Sequence, residues 1–140
     1  MDVLYSVEKE FKVEFFDVDA MKIAWHGNYV KYMEQARCDM LNKLGYNYYN
    51  MKDDGWAYPV AKMKTKFIRP LRYNQEVKIV TSLEEIEPTM VIKYKIFDKN
   101  TGEKVFEGET VQFAVLIETR ETIYSAPSNL KKILGVKDEV

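Results

Sequence analysis

The sequence predicts an α+β domain in which an antiparallel sheet of about five strands wraps around one long helix. Three observations predict it. Tyr29, Tyr32, Met33, Ala36, Met40 and Leu44 recur at helical spacing and form one apolar stripe. After Gly55 the apolar period shortens to two and stays there through several segments punctuated by Pro and Gly. No other segment carries the helical period over a comparable length, so the economical packing sets one helix against one side of a sheet. The 140 residues form a single domain, 1–140, long enough to bury a core without staples.

Lys9 to Phe16 is rich in Val and Phe and predicts the first strand, closed by Asp17-Val18-Asp19. Ala20 to His26 has no clear period and reads as loop. Asn28, after Gly27, is placed to N-cap the long helix, which runs to Leu44 and stops at Gly45. Roughly 17 residues make a rod about 25 Å long. Lys31, Glu34, Gln35, Asp39, Asn42 and Lys43 fall largely off its apolar stripe.

The Tyr/Asn-rich stretch from Gly45 to Gly55 predicts one helical turn near Asn50 to Asp53. In Ala57 to Arg69, Ala61, Met63, Thr65 and Phe67 take one face and Lys62, Lys64 and Lys66 the other, until Pro70 breaks the run. Glu76 to Leu83 turns Val77, Ile79, Thr81 and Leu83 inward. Past Pro88, Met90, Ile92, Tyr94 and Ile96 repeat the pattern. Asp98-Lys99-Asn100-Thr101-Gly102 is turn chemistry and predicts a hairpin. The returning strand, Lys104 to Glu118, is long, with Gly108 as the candidate bulge. Pro127 and a short helix around Leu130 to Leu134 complete the chain.

Composition removes several function classes. Apolar residues make up 46% of the chain, and no uninterrupted apolar run reaches bilayer length, so membrane insertion is not expected. A net charge of −1 removes any global pull toward nucleic acid. Met1-Asp2-Val3-Leu4-Tyr5 has neither the basic nor the apolar region of a secretion leader. Cys38 is single and can form no internal disulfide. Together these predict a cytoplasmic protein, with Cys38 as a helix-packing residue.

The stretch from Phe15 to Tyr29 concentrates the chemistry. Two carboxylates leave a strand, a short loop follows, and the only histidine, His26, stands just before the helix. The first N–H groups of a helix lack partners within it, and its dipole is positive at that end. Such a place holds a group that is, or becomes, anionic.

Three segments there, Asp17-Val18-Asp19-Ala20-Met21, Ile23-Ala24-Trp25-His26-Gly27-Asn28-Tyr29 and Tyr32-Met33-Glu34-Gln35-Ala36-Arg37, carry a resemblance. They resemble the signature of acyl-CoA thioesterases of the hot-dog fold, within these the 4-hydroxybenzoyl-CoA thioesterase/YbgC-like branch. The order of elements matches over residues 5 to 120. The resemblance implies a sheet wrapped round the helix and two copies paired through residues 57–68 into one continuous sheet. It further implies a homodimer that pairs again into a tetramer, active sites between subunits, acyl-CoA as substrate, and no metal or separate cofactor. Asp19 falls on the catalytic aspartate and His26 on the histidine whose backbone N–H polarises the thioester carbonyl. Asn28 and Tyr29 fall beside the acyl pocket. The chain departs from the pattern twice: Phe15 stands where some members have tyrosine, and Met21-Lys22 replaces the usual loop glycine.

Thioester hydrolysis needs a nucleophile or general base and a means of holding the oxyanion. A carboxylate is ionised at neutral pH unaided. Asp19 either attacks the carbonyl directly, forming an anhydride, or deprotonates a water; the sequence leaves both open. Backbone N–H groups around His26 and Gly27 would meet the oxyanion, and Gly27 allows close approach of substrate. Trp25, with Trp56 and Tyr58, lines an apolar pocket or packs the core. Lys62, Lys64 and Lys66, helped by Arg69 and Arg72, form either a phosphate patch for the CoA nucleotide or a solvated face guarding a sheet edge. Asp17 fixes the loop by hydrogen bonds.

Plainer readings stand beside these. An Asp near a helix start serves equally as a cap, and a lone His there as a solvated residue. The rival function is a non-catalytic hot-dog acyl-binding or assembly module. A hydratase is disfavoured because its pairing of Asp with a downstream His is impossible with one histidine.

Overall fold

Alternation of apolar and polar residues dictates the larger part of the architecture. The structure is a computed structural model that describes residues 3–137; Met1-Asp2, read above for a leader, lies outside them. Five strands build the main antiparallel sheet: β1 (Tyr5–Lys12), β3 (Val60–Phe67), β4 (Glu76–Glu85), β5 (Met90–Asp98) and β6 (Lys104–Gln112). Their spatial order is β1-β4-β5-β6-β3. A second, three-stranded sheet joins β2 (Trp56–Ala57), β7 (Ala114–Leu116) and β8 (Thr122–Ile123). The long helix α1 spans Asn28–Leu44, a shorter α2 spans Tyr48–Asp53, and α3 spans Ser128–Leu134.

The stripe foreseen on α1 is its buried face. Tyr29, Tyr32, Met33, Ala36 and Met40 share one core with Ile79, Ile92, Tyr94, Ile96 and Phe106 from the inner face of the sheet. Arg37 also enters this core: its Nε donates to the Tyr48 hydroxyl at 2.7 Å and its Nη1 to the Tyr94 hydroxyl at 3.2 Å. Buried polar groups need such partners, so this cation ties α1 to α2 and β5 at once.

Gly108 is not at a bulge. It pairs in regular register with Thr65 on one side and Tyr94 on the other. What demands glycine is the helix: a Cβ there would lie 2.5 Å from the Met33 sulfur and 3.0 Å from the Phe106 ring. The register shifts fall instead at Val60/Lys62, Leu83/Glu85 and Ile96/Phe97.

Other boundaries also differ from expectation. The first strand ends at Lys12, and Phe15–Asp17 forms a single 3-10 turn. Asp17 Oδ2 accepts the Glu14 N–H at 2.9 Å and closes the chain on itself there. The expected long return strand divides at Phe113, whose N–H turns to the Pro59 carbonyl at 3.2 Å, and the chain passes to the small sheet. Helix α2 begins earlier than expected because Asn47 and Asn50 cap one another, Asn47 Oδ1 accepting from Tyr49 and Asn50 and Asn50 Oδ1 accepting from Asn47. Cys38 is half-buried on α1.

The outer face of the sheet is a charge ladder. Lys64, Glu109 and Lys93 stand side by side across β3, β6 and β5, as do Lys66, Glu107 and Lys95. Opposite charges facing one another across strands stabilise the pairing modestly. Among the described residues no helix is long and apolar enough to cross a membrane, and no group of three His, Cys, Asp or Glu side chains is placed to hold a metal.

The seat of α1 on Gly108 gives the first prediction. Gly108→Ala should destabilise the fold by about 1–3 kcal/mol through overpacking, measured by urea unfolding. Met33→Ala in the same chain should recover part of that loss. An unchanged midpoint for Gly108→Ala would show that α1 does not press on this point.

Candidate active site

The segment expected to be loop, Ala20 to His26, instead forms most of a small hairpin over residues 17–25. Val18 and Ala24 pair, the Asp19 N–H donates to the Ile23 carbonyl at 3.0 Å, and the Trp25 N–H donates to the Asp17 carbonyl at 3.0 Å. The chain after Pro70 backs it: Ile23 pairs with Arg72, the Ala24 N–H reaches the Leu71 carbonyl at 2.7 Å, and the Tyr73 N–H reaches the Lys22 carbonyl at 3.0 Å. A catalytic group on such a platform is held by the main chain on both sides.

Asp19 sits at the hairpin's turn and is exposed. Its Oδ1 accepts from the Met21 N–H at 2.8 Å and the Ile23 N–H at 3.4 Å. Its Oδ2 makes no hydrogen bond among the described residues. One oxygen therefore orients the carboxylate and the other is presented outward. Asp19 caps its own turn rather than α1. The turn sets Lys22 in the left-handed region at φ 60°, a conformation costing an L-residue about 1–2 kcal/mol. Lysine thus keeps the backbone shape for which glycine is the ordinary choice.

Asp17 has a different task. It is buried, its Oδ2 takes the Glu14 N–H, and its carbonyl accepts both the Trp25 N–H and the Asn28 Nδ2 at 2.6 Å. Burial, then the neighbouring Asp17 charge, pushes the Tyr32 phenol far above its ordinary range. Asn28 is the first residue of α1 and not its cap; the capping position is Gly27. The Asn28 amide is committed to the Asp17 carbonyl and so ties helix to hairpin.

The start of α1 then distributes its donors. The N–H groups of Asn28, Tyr29 and Val30 turn back to the carbonyls of Trp25, His26 and Gly27 at 2.9, 3.2 and 3.3 Å. The N–H groups of His26 and Gly27 have no acceptor among the described residues. The free pair thus lies just ahead of the helix, at the residues singled out from the sequence. Gly27 is covered by the Trp25 indole, which lies 2.4 Å from where a Cβ would stand. The indole remains 55% exposed, and the His26 ring, also exposed, lies beside it with centroids 5.3 Å apart. Tyr29 is buried, its ring 4.9 Å from Phe67 and 4.7 Å from Phe106, and burial pushes its phenol up.

Trp25, His26, Gly27, Asn28 and Tyr29 therefore stand where the hairpin meets α1, and Asp19 stands at the turn of the same hairpin. Arg72 joins them through its pairing with Ile23. Lys64 and Lys66 stand on the sheet's outer face with Lys62, Lys64 facing Glu109 at 4.0 Å and Lys66 in register with Glu107. Arg69 pairs with Glu103. Tyr58 belongs to the core and Trp56 packs partly buried against it. Sequence reasoning missed the segment Leu71–Tyr73, which holds the hairpin through backbone bonds that leave no side-chain signature. It also passed over Lys22 as a residue with a task; the signal was a lysine at a glycine position.

This architecture recurs in known proteins. The model of the thioesterase-like superfamily matches residues 13–134. A putative esterase of Aquifex aeolicus is 30% identical over 90 residues, 64% of this chain and 70% of that protein. The putative acyl-CoA thioesterase YneP of Bacillus subtilis is 31% identical over 82 residues, 59% of each. This chain spans 59% of that relative's length, so the likeness covers only part of it. Among solved structures, a DHNA-CoA thioesterase from Staphylococcus aureus superposes with a TM-score of 0.75 at 29% identity, over 85% of this chain and 80% of that one. The central helix, its enveloping sheet and the family match together show that this chain is a hot-dog protein of the thioesterase-like superfamily.

Proposed function

We propose that the chain hydrolyses acyl-CoA thioesters to the free acid and CoA at the Asp19 hairpin. One observation carries the reading: a hairpin bears an oriented carboxylate with a free oxygen at its turn, and two adjacent unpartnered N–H groups follow where it runs into α1. Further support comes from relatives named as acyl-CoA thioesterases.

In this reading the thioester carbonyl oxygen rests on the N–H groups of His26 and Gly27. Each such donor, aimed where charge develops, contributes about 3–4 kcal/mol to the transition state. His26 acts through its backbone. Asp19 works in one of two ways. Its Oδ2 adds to the carbonyl carbon as the C–S bond breaks, the thiolate leaves with the electron pair and takes up a proton, and water opens the resulting anhydride. Alternatively, Asp19 takes a proton from water, hydroxide adds, and the proton follows the departing sulfur.

The active form in this proposal is a homo-oligomer. Strand β3 lies at the edge of the sheet with all eight residues exposed, Val60, Met63 and Phe67 among them. The edge is long and unpaired, and Val60, Met63 and Phe67 offer a second strand apolar contact between its lysines. Because Phe67 touches Tyr29 on α1, a partner on that edge would border the junction.

Asp19→Asn and Asp19→Ala should each lower thiol release from acyl-CoAs by about 10²–10⁴-fold. Asparagine keeps an oxygen for the Met21 and Ile23 N–H groups, so its loss reads the carboxylate and not the turn. Wild-type rates in both variants would remove Asp19 from the mechanism. Inactivity of the wild type on short, long and aromatic acyl-CoAs would favour the binding module. In sedimentation, Phe67→Glu should dissociate the wild-type oligomer to monomers; a monomeric wild type would contradict the edge pairing.

A further inference from the structure

The hairpin places a lysine where its backbone is strained, one residue from a ligand of the Asp19 turn. We propose that Lys22 is a substrate-binding residue, presenting its ammonium to a phosphate of the CoA nucleotide with Arg72 as second cation. This rests on the reading of the junction as an acyl-CoA site.

Four observations support it. Lys22 holds φ 60° in a turn whose geometry is fixed by other residues, through the Asp19 N–H to Ile23 carbonyl bond and the Lys22 N–H to Asp19 carbonyl bond at 2.9 Å. Glycine would fill that turn without strain, and strained positions persist where the side chain or the shape is used. Second, Lys22 and Arg72 are exposed, and neither has a carboxylate within ion-pair distance among the described residues. Third, main-chain bonds join the two segments that carry them: Ile23 pairs with Arg72, and the Tyr73 N–H binds the Lys22 carbonyl. The fourth is the company they keep. Phe16 at 83% exposure, Met21 at 75% and Trp25 at 55% stand in the same stretch of chain. Exposed apolar side chains and uncommitted cations on one stretch suit a ligand that is apolar at one end and polyanionic at the other.

The lysines first singled out for this task are differently placed. Lys64 faces Glu109, and Lys66 stands in register with Glu107, on the outer face of the sheet. A phosphate binding there would displace or oppose those carboxylates. Lys22 makes no ion pair among the described residues, and Arg72 lines a cleft with Asp98 and Glu103 without pairing with either.

The test compares wild type with Lys22→Met, Lys22→Arg and Lys22→Gly. Calorimetric titration with coenzyme A should show about tenfold weaker binding for Lys22→Met and Lys22→Gly, and near-wild-type binding for Lys22→Arg. Ionic strength should weaken wild-type binding more steeply than Lys22→Met binding. In hydrolysis, the rise in KM for Lys22→Met should be about tenfold larger for an acyl-CoA than for the same acyl group on pantetheine, which lacks the nucleotide phosphates. Lys22→Gly separates charge from shape, since it relieves the strain, should raise Tm, and still lacks the ammonium. Equal KM changes for both thioesters would overturn the proposal by assigning Lys22 to the turn or to the acyl group. Unchanged coenzyme A affinity in Lys22→Met, or no wild-type affinity, would also overturn it. Hydrolysis failing on every thioester while Lys22-dependent coenzyme A binding persists would defeat the catalytic reading alone.

Discussion

A single main-chain oxygen joins the two halves of the candidate site. The Asp17 carbonyl accepts the Trp25 N–H from the returning arm of the hairpin and the Asn28 amide from the first turn of α1. The first bond closes the hairpin that carries Asp19. The second fixes that hairpin against the helix whose approach carries the free N–H groups. Each bond contributes only about 1 kcal/mol to stability, but between them they tie the hairpin that carries Asp19 to the start of α1. The buried Asp17 carboxylate, held by the Glu14 N–H, keeps the oxygen in place. Two acidic residues so close in sequence thus have different surroundings: one is buried and structural, the other exposed with one oxygen unbonded.

The scaffold beneath is built for precision at that end. Helix α1 sits on the sheet at Gly108, where Met33 fills the space a side chain would need. Arg37, buried and bonded to two tyrosines, anchors the helix further along. A helix held at both points cannot slide along the sheet without breaking a buried polar contact. The N-terminal junction therefore inherits a fixed distance from β6 and from the edge strand β3. Polar satisfaction in the middle of the helix serves geometry at its tip.

Most of the fold was legible because period and burial coincide. The α1 stripe and the alternation in β4 and β5 follow directly from which residues must leave water. The elements misjudged are those whose bonds are main-chain or whose partners are distant. The Asp17–Trp25 hairpin is too short to leave a period, and its backing at Leu71–Tyr73 lies some fifty residues on. Gly108 announces an exception, but only the position of Met33 says which exception. Asn28 has the chemistry of a cap, and its side chain was captured by the Asp17 carbonyl instead. For the proposed site, the choice of Asp19, His26 and Gly27 was already open to the motif. The ranking of cations was not, because commitment to a carboxylate is a matter of cross-strand register.

The central claim is that carbonyl oxygen and carbonyl carbon of a thioester meet different parts of one junction. A crystal structure with a non-hydrolysable acyl-CoA thioether ketone tests it most directly. The account predicts the carbonyl oxygen about 2.7–3.1 Å from the His26 and Gly27 nitrogens, with Asp19 Oδ2 about 3–3.5 Å from the carbonyl carbon. A ligand whose carbonyl lies away from those nitrogens, or with Asp19 turned from it, would contradict the account.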